Sequence, residues 1–101
     1  TIKVMTFKNL AFRSHPNLGN KGIQGVIKMG NGKILSVVAG DYLYCNTKFG
    51  NKKGAVDLKE SDVLTFETAI ISEDNGVGDV RGWQSRKDIN KIIKENNGRK
   101  N

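Results

Sequence analysis

His15 is the one histidine of this 101-residue chain and Cys45 its one cysteine. Acid–base chemistry on a ribose or phosphate needs a proton donor and an acceptor within hydrogen-bond reach of the substrate. Arg13, Glu67, Glu73 and Arg81 are the residues that could surround His15 for that purpose, giving a small nuclease or nucleotide-processing enzyme. Nothing in their spacing brings them to it, and SHPN (Ser14–Asn17) reads as a turn, so no catalytic residue is assigned. One cysteine cannot form an intramolecular disulfide, and one cysteine with one histidine cannot build a Cys/His zinc site within a chain. Cys45, in DYLYCN (Asp41–Asn46), reads as a buried thiol acting as a small hydrophobe.

Two glycine-rich stretches carry no cofactor or metal chemistry. GVGDVRG (Gly76–Gly82) is G-x-G-x-x-x-G, not the G-x-G-x-x-G that opens a helix in dinucleotide sites. EDNGVGD (Glu73–Asp79) lacks the oxygen spacing and the distal glutamate of a calcium loop. Both read as turns, and neither a cofactor nor a metal is expected.

The residues left are suited to binding. Lys48, Lys52 and Lys53 lie in the basic loop NTKFGNKKGA, with Tyr42, Tyr44 and Phe49 close in sequence. Lysines and backbone amides can hold phosphates, and aromatic rings can stack on bases. Arg81, Arg86 and Lys87 flank the single tryptophan, Trp83. Lys48, Lys52, Lys53, Arg81, Trp83, Arg86 and Lys87 form the predicted partner-binding set. Trp83 itself reads first as a ring packing a helix start against a sheet, a support for the three cations.

The net charge is +7, which suits a polyanionic partner, but the charge is unevenly distributed. Residues 1–56 hold nine Lys/Arg against Asp41, residues 57–79 hold seven acids against Lys59, and residues 80–101 hold seven Lys/Arg against Asp88 and Glu95. A dedicated nucleic-acid module rarely carries a contiguous acidic third. That third is expected to fold among basic neighbours, dividing the surface into patches of opposite sign.

The elements that must position these residues follow from periodicity. GIQGVIKM (Gly22–Met29) and KILSVVAG (Lys33–Gly40) are rich in β-branched residues and flank GNG, so Asn31-Gly32 predicts a hairpin. Ile23, Gly25, Ile27 and Met29 share one face of the first strand; Leu35, Val37 and Ala39 alternate with Ile34, Ser36 and Val38 in the second. VMTFKNLAF (Val4–Phe12) predicts an N-terminal strand or extended arm, and Ser14–Gly22 a loop. A second loop covers Asn46–Ala55, and Asp62–Ile71 is a strand with Leu64, Phe66, Thr68 and Ile70 on one face. Ser72–Asp79 reads as a turn-rich connection. Ser85 and Asp88 resemble a capping box before Ile89, Ile92 and Ile93, one face of a helix over Arg86–Asn96 that stops at Asn97-Gly98. The expected fold is a single α+β domain over residues 1–101, an antiparallel sheet of about four strands with one C-terminal helix packed on it. No apolar run is long enough to span a membrane and no signal peptide opens the chain, so a soluble chain in the cytoplasm is expected.

FKNLAFRSHP (Phe7–Pro16), KILSVVAG, FETAIISEDNG (Phe66–Gly76) and GDVRGWQSRKDINKII (Gly78–Ile93) occur in this order. The arrangement resembles a type of small uncharacterised bacteriophage accessory protein with an F-K-x-L-x-F-x-x-H-P start, a G-x-x-V strand, a Y-E-[LV]-A-[VI] strand, and then D-V-[IL]-G-[YW] with a [ST]-x-x-[DE]-[VI] helix start. The basic NTKFGNKKG departs from the acidic, glycine-rich centre usual in that type. The resemblance implies no catalytic residue. It implies a non-enzymatic protein that binds a host protein or nucleoprotein complex, inhibiting or redirecting it in the host cytoplasm, as in counter-defence or host takeover. The alternative is a nucleic-acid-binding module that uses the basic loops.

Overall fold

Alternation in the two β-branched runs turns one side of each toward the core, and the hairpin follows. The computed structural model describes residues 5–41, 43–49 and 57–96. Strand β1 (Phe12–His15) pairs with β2 (Gly19–Lys28), and β2 pairs with β3 (Ile34–Gly40), both antiparallel. Ile23, Gly25, Ile27 and Met29 are buried, and Leu35, Val37 and Ala39 are wholly so, as their alternation requires. The connecting turn has one residue of positive φ, Gly32 at 90°, with the Gly32 N–H bonded to Met29 O at 2.9 Å and the Met29 N–H to Lys33 O at 2.8 Å. That makes a three-residue connection closed by glycine, one residue longer than the shortest hairpin.

Two expectations for the N-terminal third are corrected. Residues 7–9 form a 3-10 turn, not a strand: the Thr6 hydroxyl accepts from the Lys8 N–H at 3.3 Å and Asn9 Oδ1 accepts from the Thr6 N–H at 2.8 Å. Local side-chain bonds to the backbone here outcompete a ladder. The expected Ser14–Gly22 loop shrinks to Pro16–Leu18, because β2 begins at Gly19, whose φ of 61° a glycine adopts without strain.

Strand β5 (Val63–Ser72) is the hub, pairing with β3, with the two-residue β4 (Asn46–Thr47) and with β6 (Gly76–Gln84). Residues 46–47 therefore leave the expected basic loop. Opposite β4, Asn46 faces Thr65 and Thr47 faces Val63, so Leu64 is an extra, bulged residue. The bulge shifts the alternation: Val63 and Phe66 are buried and Leu64 is exposed, against its expected place beside Phe66.

The expected connection over Ser72–Asp79 shrinks to residues 73–75, because β6 begins at Gly76. In its ladder Gln84, Arg81 and Gly78 face Phe66, Thr68 and Ile70, so β6 advances three residues for every two of β5. Two successive bulges account for this, and each contains a positive-φ residue that is not glycine, Asp79 at 45° and Trp83 at 52°. The sheet thus has six strands where about four were expected.

Helix α1 (Arg86–Glu95) starts at the Ser85/Asp88 capping box, with reciprocal bonds of 2.9 and 3.0 Å. Ile89, Ile92 and Ile93 are buried beneath it with Phe7, Leu35, Val37 and Phe66. Asn90 Oδ1 accepts the Phe7 N–H at 2.7 Å, tying the helix to the N-terminal turn. At the other end Asn96 accepts from the Asn31 backbone and side chain at 3.0 and 2.9 Å. The expected stop at Asn97-Gly98 lies outside the described residues. The architecture is α+β: one helix on one face of an antiparallel sheet.

Candidate functional site

The second bulge of β6 presents Trp83 to solvent. The residue is 54% exposed, so it does not pack the helix start as expected. It rests on Tyr44, which is 59% exposed, with centroids 5.2 Å apart and planes at 42°. The Trp83 N–H donates to Tyr44 O at 2.9 Å, and the Tyr44 N–H donates to Glu67 Oε1 at 3.0 Å. Gly82 makes the approach possible: a Cβ there would lie 2.6 Å from Tyr44 Cβ. A bulky residue at positive φ is strained, and such strain persists only where surrounding contacts hold it. Here those contacts display two aromatic side chains side by side.

Of the four described basic residues of the predicted set, Lys48, Arg81 and Arg86 are engaged within the molecule. Arg81 is bidentate to Asp79 at 2.9 and 3.0 Å, and this partner pushes the guanidinium pKa up. Lys48 meets Asp62 at 3.1 Å and lies 5.8 Å from the centre of the Phe49 ring. The Lys59 N–H first, then Lys48, holds the Asp62 carboxyl below its ordinary range.

Arg86 is the most constrained. Its fork meets Glu60 Oε2 at 2.6 and 3.0 Å, Glu60 O at 2.8 Å and Val63 O at 2.8 Å, and the guanidinium lies 5.3 and 5.1 Å from the Phe7 and Phe66 ring centres. It fastens α1 to the turn before β5 and roofs the Phe7–Phe12–Phe66 aromatic cluster. Lys87 is exposed, with no ion pair among the described residues. Lys52 and Lys53 lie outside the described residues.

The structure therefore brings Trp83 together with Tyr44, which the predicted set omitted. Tyr44 was legible only as one of the aromatics near the basic loop, since its pairing with Trp83 depends on a contact across the fold. His15 Nδ1 accepts the N–H groups of Asn17 and Leu18 at 3.0 and 3.3 Å, shaping the turn between β1 and β2. Cys45 is buried, its thiol facing Gly40, and burial pushes its pKa up. Among the described residues no group of three His, Cys, Asp or Glu is placed to hold a metal ion, and no helix is long and apolar enough to cross a membrane. Compared with known proteins, the chain matches no family model, no curated protein and no solved structure.

Proposed function

We propose that this chain is a non-enzymatic binding protein of the bacteriophage accessory type. It docks on a protein of a host macromolecular machine in the cytoplasm and inhibits or redirects it, with Tyr44 and Trp83 as the anchor. The observation that carries the reading is Trp83 itself, a bulky residue at φ 52° whose ring is exposed on Tyr44. Tryptophan and tyrosine dominate the energetics of protein interfaces, where a few buried anchors contribute most of the affinity. The nearby cation Arg81 is already neutralised by Asp79, as Lys48 is by Asp62, which favours a protein partner over a polyanion for this surface.

The test is a pull-down from bacterial host extract, with and without nuclease, using the wild-type chain and Trp83→Ala. A discrete protein retained after nuclease and lost with the variant supports the reading. Capture of nucleic acid alone overturns it.

The nucleic-acid alternative has one observation in its favour. Lys87, Lys91 and Lys94, at i, i+4 and i+7, form a row of cations on the exposed side of α1. That reading requires affinity for nucleic acid that falls steeply with added salt, and replacing the three lysines would remove it.

A further inference from the structure

Strand β6 contains a pattern that neither the fold nor the docking reading uses. Val77–Trp83 reads VGDVRGW. About Val80 this is a palindrome with the charges reversed: glycine answers glycine, an apolar residue answers an apolar residue, and Asp79 answers Arg81. Two such strands laid antiparallel with their Val80 residues facing each other would set Asp79 of each against Arg81 of the other. Gly78 would face Gly82, and Val77 would face Trp83.

Three observations suit this arrangement. Among the described residues β6 has β5 as its one strand partner; Tyr44 lies against it at Gly82 and Trp83, and no second strand lies beside Gly78–Arg81. Val77 and Val80 are 65% and 54% exposed, although the fold has no need of apolar side chains there. Among the described residues, Gly78 has neither a positive φ nor any atom within 4 Å of where its Cβ would lie, so none of them requires glycine at that position. A second backbone approaching closely would.

We infer that the chain forms a symmetric dimer by antiparallel pairing of β6 with β6 of a second copy, with Val80 on the two-fold axis. The interface is isologous, the same patch meeting itself, as closed dimers require. The Asp79–Arg81 pair within each chain is exchanged for two pairs between chains. Bulges ordinarily discourage edge pairing; the charge-reversed palindrome is what selects a second copy over an arbitrary strand. Because the Tyr44 carbonyl already takes the Trp83 N–H, the new ladder spans Gly78–Gly82 only. A contact that short makes a weak, concentration-dependent dimer. It carries two Tyr44–Trp83 pairs, one toward each end of the joined strands. The inference does not rest on the docking reading, since self-association is measured with no partner present.

The test is sedimentation equilibrium on a dilution series of the purified chain, with Asp79→Arg and Arg81→Asp measured alone and mixed in equal amounts. Each variant alone sets like charges face to face and is expected to weaken the dimer at least about tenfold. Mixed, they restore opposite charges at every facing position, so a heterodimer should form with nearly wild-type affinity. That recovery also shows that both variants are folded. Val80→Lys, which puts two lysines on the axis, is expected to be monomeric with an unchanged circular dichroism spectrum. A wild-type chain monomeric throughout the series overturns the inference. So do single variants that dimerise like wild type, or a mixture that fails to recover.

Discussion

The Trp83 N–H meets the Tyr44 carbonyl at 2.9 Å while the two rings lie 5.2 Å apart, so β6 is joined to the segment before β4 through both backbone and side chains. That double contact keeps a tryptophan at φ 52°. In an ordinary strand position alanine is more stable than glycine by roughly 0.5–1 kcal/mol. At residue 83 the order is expected to reverse, because glycine adopts positive φ freely and alanine does not. Trp83→Gly should be more stable than Trp83→Ala by about 1 kcal/mol in urea denaturation. The usual order at this position would show that the bulge relaxes once the indole is gone.

Arg86 is expected to matter for stability. Its guanidinium satisfies two backbone carbonyls and one carboxylate, and the groups left behind by truncation are only partly exposed. Arg86→Ala should cost about 2 kcal/mol after allowance for solvent screening, and Arg86→Lys somewhat less, since lysine keeps the charge but loses the fork. Lys87→Ala, one residue on, should change stability by no more than about 0.5 kcal/mol. Paired denaturation curves check both, and equal effects at the two positions would contradict the structure.

Thr68 is buried on β5, and its Oγ1 has no hydrogen-bond partner among the described residues. A hydroxyl taken out of water without a partner is destabilising, and valine has nearly the same shape. Thr68→Val should raise stability by about 1 kcal/mol, seen as a higher urea midpoint at unchanged slope. A lower midpoint would mean that the hydroxyl has a partner after all.

Stability should fall at both ends of the pH scale, for opposite reasons. The Ser85 N–H holds the Asp88 carboxyl below its ordinary 3.8, and Asp62 is held low by the Lys59 N–H. Depressed carboxyls contribute stability above the unfolded pKa, and it is lost as pH falls through the folded value. Asp88→Asn should therefore flatten the acid limb of a melting-temperature profile. Cys45 is raised above its ordinary 9.0 by burial, so its contribution is present below that pH and is lost as pH rises past it. Cys45→Ala should flatten the alkaline limb, and the native thiol should react with a disulfide reagent far more slowly than in urea. Rapid native labelling would refute the burial.

Much of the fold depends on information within a few residues, and that part was legible. The β2–β3 hairpin follows from alternation on either side of Asn31-Gly32, and α1 from Ser85, Asp88 and three isoleucines, because these features act through adjacent turns of chain. The α+β class needs little more. What was hidden depends on register against a distant strand. Leu64 reads as a core residue until β4 supplies the ladder that bulges it outward. Strand β6 has no period of two to detect, because two bulges make it advance by three against β5.

The candidate site divides the same way. Residue types and local order suffice to single out Trp83 with its neighbouring cations. Tertiary structure alone assigns their roles. Glu60, twenty-six residues before Arg86, turns that cation inward as a structural clamp, Asp79 neutralises Arg81, and Tyr44 holds Trp83 out in solvent. The reason is physical: exposure and pairing belong to surfaces brought together by the whole chain, and no short stretch specifies them.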